Sequence, residues 1–144
     1  MDEPVRVLVV DDHAIVRTGV TYLLKTIFPA VAITEAEDGE AAVQQCLSQA
    51  WQLVILDITL PKQNGIEVLR QIKHQRPELR VIMLSMHSGP EYVLHCLRLG
   101  AAGYLVKETA TDELEPAIHA VLKGETYVSR ALAERLYGKR QDSS

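Results

Sequence analysis

Five times along the chain, a short and nearly continuous apolar run gives way to a stretch with helical spacing. The runs are "VRVLVV" (5–10), "VAITEA" (31–36), "QLVILD" (52–57), "RVIMLS" (80–85) and "GYLVK" (103–107). The first, third and fourth are almost wholly Val, Ile and Leu, as strands covered on both faces by helices are. The second is more polar and belongs nearer an edge. Helical periodicity follows each run: Val16, Val20, Leu23, Ile27; Ala42, Val43, Cys46, Leu47; Ile66, Leu69, Ile72; Val93, Cys96, Leu97; Leu114, Ile118, Val121. Gly and Pro punctuate the joins, among them Gly65, Pro77, Gly100 and Gly124. Strict alternation of this kind predicts a doubly wound parallel α/β sheet with right-handed crossovers. Asp112 with Glu115 predicts a capping box opening the fifth helix, with Pro116 in its first turn. After residue 124, "SRALAERLYG" predicts one short extra helix, and "KRQDSS" a disordered tail. The expected division is a domain over 1–124 and the start of a linker over 125–144.

The 144 residues suit a single domain, 47% hydrophobic and 24% charged. A net charge of −4 without a basic cluster argues against nucleic-acid binding by this part of a protein. Cys46 and Cys96 lack metal or CxxC spacing and read as buried free thiols in a reducing compartment. The start "MDEPVR" does not resemble a signal peptide, and no apolar run has membrane-spanning length. The expected location is cytoplasmic, with no membrane partner.

In open α/β sheets, ligands bind beyond the carboxyl ends of the strands. Asp11 and Asp12 follow the first strand, Asp57 ends the third, Ser85 the fourth and Lys107 the fifth. With strand order 2-1-3-4-5, these four ends are neighbours. Taken singly, each residue has a structural explanation: an Asp that caps or turns, a solvated Lys. Taken together, they deliver three carboxylates, a hydroxyl and an ammonium to one region. Two carboxylates about 4 Å apart repel by on the order of 4 kcal/mol at an effective dielectric near 20. A hard divalent cation reverses the sign of that interaction, and Mg²⁺ suits carboxylate, water and phosphate oxygens.

"VLVVDDHAIVRTGV", "LVILDITLPKQNGIEVL", "VIMLSMH" and "AAGYLVKETATDEL" together resemble the receiver domain of bacterial two-component response regulators, of the NarL/FixJ type. The resemblance covers nearly the whole chain and implies a flavodoxin-like (βα)5 fold. It implies that Asp57 is the phosphoacceptor. Mg²⁺, or Mn²⁺, would be held by Asp11, Asp12, Asp57 and the carbonyl of Thr59. Lys107 and Ser85 would hold phosphoryl oxygens. Ser85 and Tyr104 match the switch residues, and Thr59 and His87 the positions that tune phosphorylation and dephosphorylation rates. His13 is expected to be exposed or to support the acids rather than bind metal.

The resemblance further implies a sensor histidine kinase as phosphodonor and a homodimer on phosphorylation. Such a domain is not a conventional enzyme, although it catalyses its own phosphorylation and dephosphorylation. DNA would be reached only through a C-terminal helix-turn-helix domain, absent from this sequence. A stand-alone receiver, acting as a relay or phosphate sink, is the nearer alternative. A Mg²⁺-dependent phosphatase of the haloacid dehalogenase type is remote, because that family places its second Asp two residues after the nucleophile on the first strand. A dinucleotide-binding reading fails because "DDHAIVR" has no glycine cradle.

Overall fold

The computed structural model describes residues 5–60, 62–87 and 89–137. Five βα units follow one another: β1 (Arg6–Val10), α1 (Ala14–Ile27), β2 (Ala32–Ala36), α2 (Gly39–Ser48), β3 (Leu53–Asp57), α3 (Gly65–Gln75), β4 (Val81–Ser85), α4 (Pro90–Arg98), β5 (Gly103–Val106) and α5 (Ala110–Leu122). The strands form one parallel sheet in which the expected order, β2-β1-β3-β4-β5, is found. Every residue of β3 and β4 is buried, which is why those runs lack polar alternation. β2 lies at the edge and is largely open.

Side chains alternate across the sheet with a period of two. Leu8, Val10, Val54, Leu56, Val81 and Met83 face a core closed by α2, α3 and α4. Val7, Val9, Leu53, Ile55, Ile82 and Leu84 face a second core, closed by α1 and α5. Cys46 and Cys96 are free and buried, and burial pushes their thiols up to about 12 and about 11. Trp51 is a packing residue whose indole N–H donates to the Gln45 carbonyl at 2.9 Å.

Beyond residue 124, the chain adds a sixth strand, β6 (Tyr127–Val128), parallel to β5, and a helix, α6 (Arg130–Tyr137). Two residues carry no readable periodicity, and the open edge of β5 supplies the template. Leu132 of α6 is buried, and Leu136 packs against the α4 side of the sheet. Glu113 fastens this segment. Its carboxylate accepts hydrogen bonds from the Thr109 hydroxyl (2.8 Å), the Tyr127 hydroxyl (2.9 Å) and the Arg130 N–H at the start of α6 (2.9 Å). The tail expected to be disordered, 139–144, lies outside the described residues.

The capping box expected at Asp112 is not formed. A 3₁₀ turn over Lys107–Thr109 leads directly into α5, whose N-cap is Thr109. Asp112 therefore sits in the first turn and Pro116 in the helix interior. Without an N–H, Pro116 leaves the Asp112 carbonyl without its helical donor.

Candidate functional site at the carboxyl ends of the strands

Register decides which side chains meet. Val10 is level with Leu56, Asp57 with Leu84, and Ser85 with Val106. The residues that follow β1 and β5, Asp11 and Lys107, are thereby carried to the same rim as Asp57 and Ser85. Asp11 and Asp57 are each only 1% exposed. The Lys107 ammonium lies 3.2 Å from Asp11 Oδ2 and 3.2 Å from Asp57 Oδ2. Both contacts are ion pairs, and among the described residues the two buried oxygens have no polar partner besides Lys107.

The remaining oxygens are held by backbone. His13 N–H donates to Asp11 Oδ1 at 2.9 Å, and Thr59 N–H donates to Asp57 Oδ1 at 3.1 Å. Burial, then repulsion from Asp11, pushes the Asp57 carboxyl above the ordinary aspartate value. The Thr59 N–H and Lys107 pull the other way, and burial with like charge prevails. Asp12 is more open, at 31% exposure, and His13 Nδ1 lies 3.0 Å from its Oδ1 and 3.2 Å from Asp11 Oδ1. The His13 ring is largely exposed, as expected.

Three carboxylates face a single ammonium, which leaves two negative charges if all three acids ionise. Ligand atoms of Asp11, Asp12, His13 and Asp57 lie within 4.8 Å of one another. Two of the carboxylate oxygens there are buried with Lys107 as their one polar partner among the described residues. A hard divalent cation fits this donor set, since Mg²⁺ and Mn²⁺ both favour carboxylate oxygen.

Ser85, His87 and Tyr104 form a knot beside the acids. Ser85 is fully buried, and its Oγ accepts the His87 N–H at 2.8 Å. The Tyr104 hydroxyl donates to the His87 carbonyl at 2.9 Å, with its ring fully buried. Burial pushes that phenol up to about 12, against a smaller lowering by the Ser85 hydroxyl. The His87 ring stacks on Tyr92 of α4, with centroids 4.4 Å apart.

All the residues singled out from the sequence therefore lie at this rim or in the knot beside it. Arg17 was not among them. Its Nη1 donates to the Asp11 carbonyl at 2.6 Å, and its Nε to Glu35 Oε1 at 2.8 Å. An arginine in the first turn of a helix gives no local sign of such a role.

A parallel sheet with acids gathered at its carboxyl rim beside a lysine defines a CheY-like receiver fold. Residues 7–119 match the response regulator receiver domain family, and the chain belongs to it. Its relatives are response regulators of the NarL/FixJ/LuxR class. The transcriptional regulatory protein MctR of Rhizobium johnstonii is 37% identical over 140 residues, covering 94% of this chain and 64% of that one. The transcriptional regulatory protein DegU of Brevibacillus brevis is 33% identical over 135 residues, covering 94% of this chain and 57% of that one. A LuxR-family two-component response regulator from an Aurantimonas species superposes with a TM-score of 0.87 at 31% identity, over 99% of this chain and all of that one. The chain spans about three fifths of the length of the curated relatives it matches. Among the described residues, no helix is long and apolar enough to cross a membrane.

Proposed function

We propose that Asp57 accepts a phosphoryl group from a phosphohistidine on a sensor kinase and that the resulting charge switches the surface around α4, β5 and α5. The observation that carries this reading is the pairing of Asp57 Oδ2 with Lys107 at 3.2 Å beside a second buried acid. Among the described residues, that oxygen meets the Lys107 ammonium and no other polar group, which leaves it available as the nucleophile towards phosphorus. In the transfer, the P–N bond of the donor breaks as the P–O bond to Asp57 forms, and the electron pair leaves with the imidazole. Asp11, Asp12, Asp57 and the Thr59 carbonyl would hold Mg²⁺, which supplies charge neutralisation for the transferring group. Lys107 holds a phosphoryl oxygen and keeps its place through its contact with Asp11. Thr59 and His87, flanking the site, tune the rates.

The product carries about −1.5 to −2 charges. Its oxygens compete for the Ser85 hydroxyl. Moving Ser85 strains its bond to the His87 N–H and, through the His87 carbonyl, the Tyr104 hydroxyl. The site then biases the β4–α4 loop between two packings. In this reading, residues 1–124 carry the switch and 125–144 begin the connection to an effector. Two relatives are named transcriptional regulatory proteins and are longer than this chain, which supports a DNA-binding effector in the whole protein. Such a protein acts in the cytoplasm, and its phosphorylated form pairs with a second copy.

Acetyl phosphate with Mg²⁺ tests the chemistry. Mass spectrometry should find an acid-labile, hydroxylamine-sensitive adduct on Asp57 and none on the Asp57→Asn variant. An adduct on that variant, or rapid multiple turnover of acetyl phosphate as in a phosphatase, overturns the assignment.

A further inference from the structure

We infer that Arg17, braced by Glu35, is a positioning residue that aims the acid pair, so that metal affinity at the site depends on a side chain that touches no metal. The inference rests on the reading of Asp11, Asp12 and Asp57 as the cation site. The peptide between Asp11 and Asp12 is the last link before Asp12, and it lies past the end of β1. The preceding peptide is anchored to the sheet, its Asp11 N–H donating to the Ala36 carbonyl at 3.1 Å. In the Asp11–Asp12 peptide itself, the Asp11 carbonyl accepts Arg17 Nη1 at 2.6 Å. The orientation of that carbonyl sets the plane of the peptide and hence the departure of Asp12.

The guanidinium is itself fixed. Its Nε donates to Glu35 Oε1 at 2.8 Å, and Glu35 stands level with Val9 in the β1–β2 ladder. Arg17 lies one helical turn above His13, whose carbonyl accepts the Arg17 N–H at 3.1 Å. One planar cation thus staples α1 to β2 across the exit of β1. The Arg17 side chain is only 13% exposed, which shields its bond to the Asp11 carbonyl, while the Glu35 carboxylate that braces it is 45% exposed. A lysine could keep the charge but not the rigid fork that reaches both acceptors.

Charge and geometry predict opposite signs, which makes the test decisive. If Arg17 acted only as a nearby cation, Arg17→Gln would tighten Mg²⁺ binding and Arg17→Lys would leave it unchanged. As a positioning residue, it should weaken binding in both variants by about tenfold or more, the usual cost of losing an outer partner of a metal ligand. The measurement is titration of the chain with MgCl₂, followed by backbone amide shifts of Asp11, Asp12, His13 and Thr59. The same spectra report folding, and Arg17→Lys serves if Arg17→Gln unfolds. Wild-type binding with either variant equal to it or tighter overturns the inference alone. A wild-type chain whose site amides do not respond to MgCl₂ overturns the inference together with the reading of the site.

Discussion

Asp57 is a buried acid held beside another acid, and the fold tolerates it at a cost that ionisation exposes. Its folded value lies above the unfolded one because burial and Asp11 outweigh Thr59 and Lys107. For such a group, stability is full below the unfolded value, about 3.9 for aspartate, and is lost as pH rises through the folded value. In chelator, Asp57→Asn should therefore melt higher than wild type at pH 7 and match it near pH 4. About 1 kcal/mol of relief moves the midpoint by roughly 2–4 °C at this size. Thermal melts at the two pH values check this, and a lower midpoint for the variant at pH 7 contradicts it. Gly65 is constrained by close approach. A Cβ there would press on the Asp57 carbonyl and lie 2.6 Å from Ile58 Cα and 2.7 Å from the Ile58 carbonyl oxygen. The N–H of Gly65 also donates to that Ile58 carbonyl at 2.7 Å. Gly65→Ala should cost about 2–3 kcal/mol in denaturant unfolding, as overpacking does. It should also slow adduct formation with acetyl phosphate, because the strain falls on the strand end that carries Asp57.

At the scale of elements, α6 is held by chemistry rather than by its length. Eight residues make a helix that is marginal alone. Burial raises the Glu113 carboxyl, but hydrogen bonds from Thr109, the Arg130 N–H, Tyr127 and Ser129 outweigh it and hold it below the usual glutamate value. The stability this gives is present above the ordinary glutamate range and lost as pH falls through the folded value. Ser129 adds a tie to β5, its Oγ accepting the Val106 N–H at 2.9 Å, one residue before Lys107. Glu113→Ala removes the acceptor of the Tyr127 hydroxyl and the Arg130 N–H and leaves the Thr109 hydroxyl only its longer bond to the Val106 carbonyl at 3.5 Å. Local opening of 127–137 should become easier by about 2 kcal/mol, or about 30-fold in amide exchange, with β1, β3 and β4 unchanged. Hydrogen-exchange mass spectrometry gives the comparison. Uniform acceleration across the sheet would mean that Glu113 supports the whole domain rather than this segment.

For the whole molecule, the sheet separates two cores, and the rim carrying Asp57 joins elements that pack on both. Lys107 follows a strand whose Tyr104 faces the α4 side and whose Leu105 faces the α1–α5 side. A charge added at Asp57, as proposed, would reach both layers through that strand. Self-association on phosphorylation belongs to this scale. Light scattering with acetyl phosphate and Mg²⁺ should show the average mass rising towards that of a dimer for wild type, but not for Asp57→Asn. A mass that stays monomeric in both removes the expectation.

The five βα units were legible because each is a local pattern: runs of Val, Ile and Leu, periods near 3.6, and Gly or Pro at the joins. The acids, Ser85 and Lys107 were legible because each sits at a strand end, which is a local fact too. Tertiary structure alone decided that Val10 lies level with Leu56, which brings Asp11 and Asp57, 46 residues apart in sequence, to one rim. It also decided that a two-residue strand forms at the β5 edge, that α5 begins before Asp112, and that Arg17 reaches the Asp11 carbonyl. Hydrophobic periodicity reports what each segment does with its own neighbours, whereas register, edge pairing and side-chain reach depend on partners brought in by packing from elsewhere in the chain.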